Sequence, residues 1–396
     1  MNAPETEEAV AEIVRHAHAA RSPLLIQGMG SKQGMMRPVQ AAATLSTRNL
    51  SGITLNSPGE LVLSARAGTP VSEIEAALAA NNQQLTAEPP DLSALLGTPA
   101  GQSIGGVIAT NLSGPRRVAW GAMRDHLLGV RAVNGQGEVF HSGGRVIKNV
   151  TGLDLCKLLA GSHGTLGVIT EVTLKVLPRP ESSGSLVLHR LTAEAGVAAL
   201  SAGLGSPYGV SGAAFLPPAA AEAIGLPARS VTILRIEESN PSVAYRLGRL
   251  REELARFGGV ELLREEESTA LWAAIRDARP ISLGEGEALW LLSTRPSRGP
   301  AVLGAVEAAG GRGFLDWGGG RIWAAGPGTE AMARAVAEVI ARAGGTFMLL
   351  RGPEPLRITL PVVPPEPAAL AKLSDRVKAV LDPARILNPG RLSASL

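Results

Sequence analysis

Gly101-Gln102-Ser103-Ile104-Gly105-Gly106-Val107-Ile108-Ala109-Thr110-Asn111 is the stretch on which the fold turns. Its glycines and hydroxyls resemble a linker, yet small apolar residues are interleaved with them, which a solvated linker does not need. Glycine has no Cβ, so backbone there can lie against a ligand and reach φ > 0. Two segments of like composition stand on either side. Gly28-Met29-Gly30-Ser31-Lys32-Gln33-Gly34 follows the strand-length run Pro23-Leu24-Leu25-Ile26, and Gly161-Ser162-His163-Gly164-Thr165-Leu166-Gly167 precedes the alternating run Val168 to Val176. One such loop reads as an ordinary tight turn. Three, each abutting a strand, can aim successive N–H groups into one concavity that suits a diphosphate. None reads GxxxxGK[ST], and no GxGxxG opens a helix with an acid about 20 residues further on. A nucleotide here is expected in a non-Rossmann scheme.

Outward from these loops the periodicity alternates. A helix is expected over the first twenty residues (Val10, Ile13, Val14, Ala17), and another from Thr69-Pro70 to about Ala80. Strands are expected at Leu50 to Leu55 and Glu60 to Ala65 around the turn Asn56-Ser57-Pro58-Gly59, and at Leu127 to Val133 and Val139 to Ser142 around Asn134-Gly135-Gln136-Gly137. Asp154 to Ala160 reads as helical. Pro178-Arg179-Pro180 marks a boundary, since Pro-x-Pro cannot continue a ladder. Beyond it, strand-like runs (Val231 to Ile236, Leu289 to Ser293, Arg321 to Ala324, Phe347 to Arg351, Leu356 to Leu360) alternate with helices, of which Tyr245 to Phe257 and Glu330 to Ala343 are clearest. That alternation predicts an α+β layer, helices on one face of an antiparallel sheet. A helix from Pro367 to Leu381 precedes the tail. The expected domains are 1–180, 181–365 and a returning tail, 366–396.

Composition bounds the function. The 396 residues carry 38 basic and 35 acidic side chains, so no basic stripe, and two tyrosines offer little stacking surface; a nucleic-acid role is not expected. A single cysteine, Cys156, excludes a disulfide framework, a CxxC zinc site and a Cys-ligated iron–sulfur cluster within the chain, and fits a reducing, cytoplasmic compartment. The acidic, amphipathic N-terminus does not read as a signal peptide. Ala195 to Ala221 lacks charge, but its prolines and glycines interrupt any spanning helix, so it reads as loop-rich core and no direct membrane insertion is expected.

The ordered motifs resemble those of the vanillyl-alcohol-oxidase/PCMH flavoprotein family. They are Gln27-Gly28-Met29-Gly30-Ser31-Lys32, Gly101 to Asn111 with Ser113-Gly114, Lys148-Asn149-Val150-Thr151-Gly152-Leu153-Asp154-Leu155, Gly161 to Thr170, and Asp382-Pro383 with Leu387-Asn388-Pro389-Gly390-Arg391. The resemblance covers about residues 10–180 and the last thirty. It implies a PCMH-type two-subdomain FAD-binding domain plus an α+β cap. Gln27, Gly28, Met29, Gly30, Ser31, Lys32 and Gln33 would cradle the FAD pyrophosphate. Pro89, Gly101, Ser103, Ile104, Gly105, Gly106, Ala109, Thr110, Asn111, Ser113 and Gly114 would line the diphosphate and ribityl chain. Gly164, Gly167, Val168 and Ile169 would hold the adenosine, and Asn388 would sit where the tail meets the flavin domain. Some relatives attach FAD through a histidine in the first loop; that loop here offers Met29, Ser31 and Lys32, so FAD is expected to be non-covalent.

Gly114-Pro115-Arg116-Arg117, Arg124-Asp125-His126 and Asp316-Trp317-Gly318-Gly319-Gly320-Arg321-Ile322-Trp323 are similar to the FAD-binding subunits of multi-subunit glycolate (2-hydroxy-acid) oxidases. Stand-alone dehydrogenases of the family resemble one another in carrying paired histidines and acids in the cap. Here all six histidines precede residue 190, the cap is taken as free of them, and its aspartates are Asp277 and Asp316, so no metal site is expected. Oxidising an alcohol needs a base for the hydroxyl proton while hydride goes to the flavin. The chain is therefore expected to relay electrons beside a second FAD-binding subunit that oxidises a small 2-hydroxy acid, with an iron–sulfur subunit, any inner-membrane association being peripheral and through these partners. A self-sufficient oxidoreductase and a scaffold with a vestigial flavin site are the alternatives. No catalytic base is identified. Arg321, between Trp317 and Trp323, is a candidate for a substrate carboxylate, against a strand arginine stacked on tryptophan. Arg276, one turn after Trp272, is a candidate for a flavin edge, against an ion pair. His126 and Cys156 read as structural, and Glu265-Glu266-Glu267 as a solvated helix start.

Overall fold

The computed structural model describes residues 1–98, 101–145 and 153–393, so Lys148-Asn149-Val150-Thr151-Gly152 of the third motif lies outside the described residues. By its contacts the chain divides into two units. One is Met1–Ser113, Ala122–Arg179 and Pro365–Leu396; the other is Gly114–Gly121 and Pro180–Pro364.

In the first unit the helix Glu7–Ala20 begins at Thr6, whose hydroxyl accepts from Ala9 N–H, and carries Glu7 and Glu8 in its first turn. Val10, Val14 and Ala17, at i, i+4 and i+7, are buried on its inner face. They pack on β1 (Leu24–Gln27) and β2 (Ala43–Ser46), a parallel pair, and on Ile386 and Leu387 of the tail. A second layer is antiparallel: β3 (Ile53–Ser57), β4 (Val62–Arg66), β6 (Leu127–Val133), β7 (Val139–Gly143) and β8 (Val168–Lys175), in the order β3-β4-β8-β6-β7. Its core takes Ile74 and Leu78 from the helix Val71–Ala79 and Ile104, Val107 and Ile108 from the helix Ile104–Thr110. At about 1.5–3 kcal/mol per fully buried aliphatic side chain, this burial outweighs the poor helix propensity of the glycine-rich segment. β5 (Gln83–Gln84) pairs with β9 (Leu177–Pro178). Pro178 therefore sits in a ladder, at the edge of a two-stranded pair where its missing N–H costs nothing.

The second unit is one eight-stranded antiparallel sheet: β10 (Ser182–His189), β11 (Val210–Leu216), β12 (Val231–Glu238), β13 (Val260–Arg264), β14 (Glu287–Ser293), β15 (Arg312–Asp316), β16 (Arg321–Pro327) and β17 (Thr346–Arg351). The order is β13-β10-β12-β11-β15-β16-β14-β17, its halves meeting at the single register pair Phe215–Leu315. Three expectations are corrected here. Ala195 to Ala221 is mostly regular, comprising most of the helix Ala193–Leu204, β11 and the helix Pro218–Glu222; its glycines allow close packing, since a Cβ on Gly203 would lie 2.2 Å from Leu234. Leu356 to Thr359 falls in the helix Glu354–Thr359, opened by Pro355 in its first turn and capped by Leu360, and the run is not a strand. The helices do not keep to one face. Those at Ala193–Leu204 and Asn240–Leu254 meet Leu234 and Gly184, whereas Glu265–Arg276 lies on the opposite face, Trp272 Nε1 donating to Ser185 Oγ at 2.8 Å. Every residue of β11 is accordingly buried.

The expected first domain also loses a segment. Gly114–Gly121 packs with the second unit, because Arg116 forks onto Glu237 at 3.0 and 2.6 Å and Trp317 Nε1 donates to the Gly114 carbonyl at 3.0 Å.

Candidate functional site: a glycine-lined cavity

The three glycine-rich loops of the first unit surround one open cavity of about 760 Å³, solvent at its mouth included. The tail builds its wall. Lys378, buried, donates to Asp382 Oδ2 at 2.7 Å, the Thr165 carbonyl at 2.7 Å and the Leu387 carbonyl at 3.1 Å. Asp382 in turn accepts from Ile386 and Leu387 N–H. This fully hydrogen-bonded ion pair fixes the turn that presents Asn388, whose Oδ1 accepts from Ile26 N–H at 2.7 Å and whose Nδ2 donates to the His163 carbonyl at 2.8 Å. Three residues on, Arg391 donates to the carbonyls of Lys32, Gln33 and Arg37, which shapes the first loop.

Close approach explains the glycines. A Cβ on Gly105 would lie 2.7 Å from the Ala67 Cβ and 2.9 Å from its carbonyl, so the helix Ile104–Thr110 rests on the backbone after β4. Gly164, at φ +73°, would place a Cβ 2.8 Å from Asn388 Nδ2.

Of the residues singled out in the sequence, Gln27, Gly28, Met29, Gly30, Ser31, Lys32, Gln33, Ser103, Gly105, Gly106, Ala109, Thr110, Gly164, Gly167, Ile169 and Asn388 line this cavity. Pro89, Gly101, Ile104, Asn111, Ser113, Gly114 and Val168 do not. Ile104 and Val168 are turned into the core, alternation along helix and strand sending them away from the loops. Asn111 caps its helix with φ 50° while its side chain accepts from Arg124 N–H; Ser113 Oγ accepts from Met123 N–H. The Pro89 carbonyl receives Gln102 Nε2 at 3.5 Å, and Gly114 is bonded within the second unit. Thr47, His163 and Arg391 line the cavity too, although the motifs do not single them out as site residues. The signal for Arg391 is a lone cation in the tail motif; Thr47 has none.

Electrostatics set the site apart. Burial pushes the Lys32 ammonium down to about 8, opposed by the field of Asp91. Burial also holds His163 neutral, down to about 3, with Arg391 adding to the effect. Gln27 Oε1 is buried without a hydrogen-bond partner among the described residues, and its side chain lines the cavity. An orphaned acceptor, close-packed glycines and a half-buried cation at one opening fit a large polyhydroxylated, diphosphate-bearing ligand such as FAD.

In the second unit Arg321 lies with its guanidinium 3.7 Å from the Trp317 ring centroid, Arg117 lies 4.2 Å from the same centroid, and Arg321 Nε has no hydrogen-bond partner among the described residues. Arg276 spends its fork on Asp277 at 2.8 and 2.9 Å, and Trp272 takes Arg235 on its face instead. The second unit does hold a histidine, contrary to expectation: His189 ends β10, its Nε2 2.7 Å from Glu261. Cys156 is buried, its thiol pushed up by burial. Among the described residues no group of three His, Cys, Asp or Glu side chains could hold a metal, and no helix is long and apolar enough to cross a membrane.

A family profile described as an FAD binding domain matches residues 2–143. Glycolate oxidase subunit GlcE of Escherichia coli (strain K12) is 33% identical over 389 residues, covering 98% of both chains. Glycolate oxidase subunit GlcD of Bacillus subtilis (strain 168) is 28% identical over 186 residues, 47% of this chain and 38% of that one. Among solved structures, p-cresol methylhydroxylase with substrate bound superposes with a TM-score of 0.74 over 100% of this chain and 89% of that one, at 14% identity, a likeness of fold alone. With the flavin-type fold present and a GlcE relative spanning both units, the chain belongs to the GlcE family of FAD-binding, PCMH-type oxidoreductases.

Proposed function

We propose that the chain is the FAD-carrying electron-transfer subunit of a heteromeric oxidase of small 2-hydroxy acids, glycolate foremost. Bound FAD would supply a two-electron acceptor, held non-covalently. In this reading the loop Gln27–Gln33 and the helix Ile104–Thr110 carry the diphosphate and ribityl chain, and Gly164 to Ile169 with Asn388 the adenosine side. The observation that supports it most is that the likeness to a named subunit runs through both units at 98% coverage, while both aspartates of the second unit are engaged. Asp277 is forked by Arg276, Asp316 accepts from Trp317 N–H, and His189 faces Glu261. A base elsewhere, in a GlcD-like second flavin subunit, would take the hydroxyl proton, and an iron–sulfur subunit would take the electrons onward. Leu370, Leu373 and Val380 on the helix Ala368–Leu381 are 53, 56 and 72% exposed, an apolar stripe consistent with assembly.

A self-sufficient enzyme is favoured by one observation, the partnerless Nε of Arg321, which could receive a carboxylate. Anaerobic titration of the purified, FAD-loaded chain with glycolate or D-lactate decides. The flavin band should stay oxidised until the partner subunits are added; bleaching by the chain alone establishes the self-sufficient reading. A colourless protein that takes up no FAD would reduce it to a scaffold.

A further inference from the structure

Lys32 and Arg391 are both cations at the cavity, but they are not equivalent. Arg391 is occupied with three backbone carbonyls, and its work is to shape the loop. Lys32 Nζ donates to Gln102 Oε1 at 2.9 Å, Gln102 being steadied from behind by the Pro89 carbonyl. An ammonium has three protons to give, and a neutral amide oxygen is a weak partner for a buried charge. The loop is tied by Thr98 Oγ1 to the Ser31 carbonyl, so Lys32 is held at the cavity wall with bonding capacity left over.

We propose that Lys32 is the counter-ion of the FAD diphosphate, set in place by Gln102, and that taking up FAD draws a proton onto this side chain. The inference rests on the FAD-binding reading of the cavity and adds to it a residue that binds by charge, where the glycines bind by shape. The charged and titratable groups that face Lys32 are Asp91, whose field reaches it, and Arg391 and His163, which line the same cavity. His163 stays neutral and does not compete.

The sign follows from the two states. In the ligand-free protein burial holds the amine at about 8, whereas a diphosphate beside it favours the ammonium and raises that value. Below about 8 the free protein is already protonated and binding takes up little; above it, binding takes up a proton and affinity falls as pH rises.

Calorimetry of FAD binding to the full chain near pH 9, in buffers of different ionisation enthalpy, should show proton uptake. Lys32→Gln should lose the uptake and weaken FAD roughly 10- to 100-fold, as expected for a charge-assisted bond, with riboflavin affinity unchanged because riboflavin has no phosphate. Lys32→Arg should keep FAD affinity within a few-fold yet lose the uptake, since a guanidinium does not titrate there. No uptake by the native chain, or Lys32→Gln binding FAD as tightly as the native chain, overturns the proposal while leaving the flavin site intact. Failure of the native chain to bind FAD overturns the flavin reading itself.

Discussion

Two polar clusters, the Glu237 network of the second unit and the cavity wall of the first, satisfy their polar groups in opposite ways. In the second unit Glu237 accepts from Arg116 at 3.0 and 2.6 Å and from Ser211 Oγ at 2.7 Å, and lies 3.1 Å from Arg235, whose guanidinium covers the Trp272 ring. Burial alone would raise the Glu237 carboxyl; Arg235, then Arg116 and Ser211, bring it down to about 2. Both oxygens of this carboxylate are filled. At the cavity of the first unit, Gln27 Oε1 is without a partner among the described residues and Lys32 donates to a neutral amide. At the cavity the bonding capacity left over is open to a ligand, whereas the Glu237 network spends its own within the fold.

The comparison breaks most directly at Glu237. Glu237→Ala leaves the buried Arg235 and half-buried Arg116 guanidiniums without their carboxylate and should cost about 3–5 kcal/mol in thermal or denaturant unfolding, with FAD affinity per folded molecule unchanged. Because its folded-state value lies below the unfolded one, its contribution is present above about 4.5 and is lost as pH falls through about 2. The variant's stability should therefore fall less steeply in that acid window than the native chain's. If FAD affinity fell as well, the network would belong to the site and the contrast would fail.

Lys378→Met tests the closed ion pair of the tail in the first unit. Asp382 keeps the Ile386 and Leu387 N–H groups, so the cost should be smaller, about 3 kcal/mol. Here FAD affinity should drop too, since the latch presents Asn388 and Arg391; stability lost with affinity intact would separate latch from cradle. Gly105→Ala forces a methyl against the Ala67 backbone and should cost about 1–3 kcal/mol, with weaker FAD binding in a fluorescence titration. Arg117→Ala removes one cation from the Trp317 ring and should cost only about 0.5–1 kcal/mol, with no effect on FAD.

The cradle is largely legible in the amino-acid sequence because glycine reports backbone demands locally. Gly28, Gly105 and Gly164 would each set a Cβ against a neighbour, Ser103, Ala67 and Asn388 in turn, and all three line the cavity. Ile104, Val168 and Asn111 stand in the same motifs yet serve core and cap, since a motif gives position along the chain and not the direction of a side chain. Thr47 and His163 reach the site only through the packing of β2 and the 161–167 loop. The second unit is harder to read. β10, β11 and β15 are interrupted by Gly or Ser and lack alternation, because neighbours on both faces make small and polar residues tolerable there, and β13 is a partly exposed edge strand.

Local chemistry in the sequence by itself determined the glycine-rich loops that line the cavity and the scarcity of histidine and aspartate in the second unit. Only the tertiary structure decided which unit Gly114–Gly121 joins, that Arg276 is spent on Asp277, and that Arg391 shapes the loop while Lys32 keeps donors to offer. The physical reason is that residue type and spacing stand in the chain itself, whereas a charge acquires its role from partners that folding brings from hundreds of residues away, as Arg391 meets the Lys32 carbonyl across 359 positions.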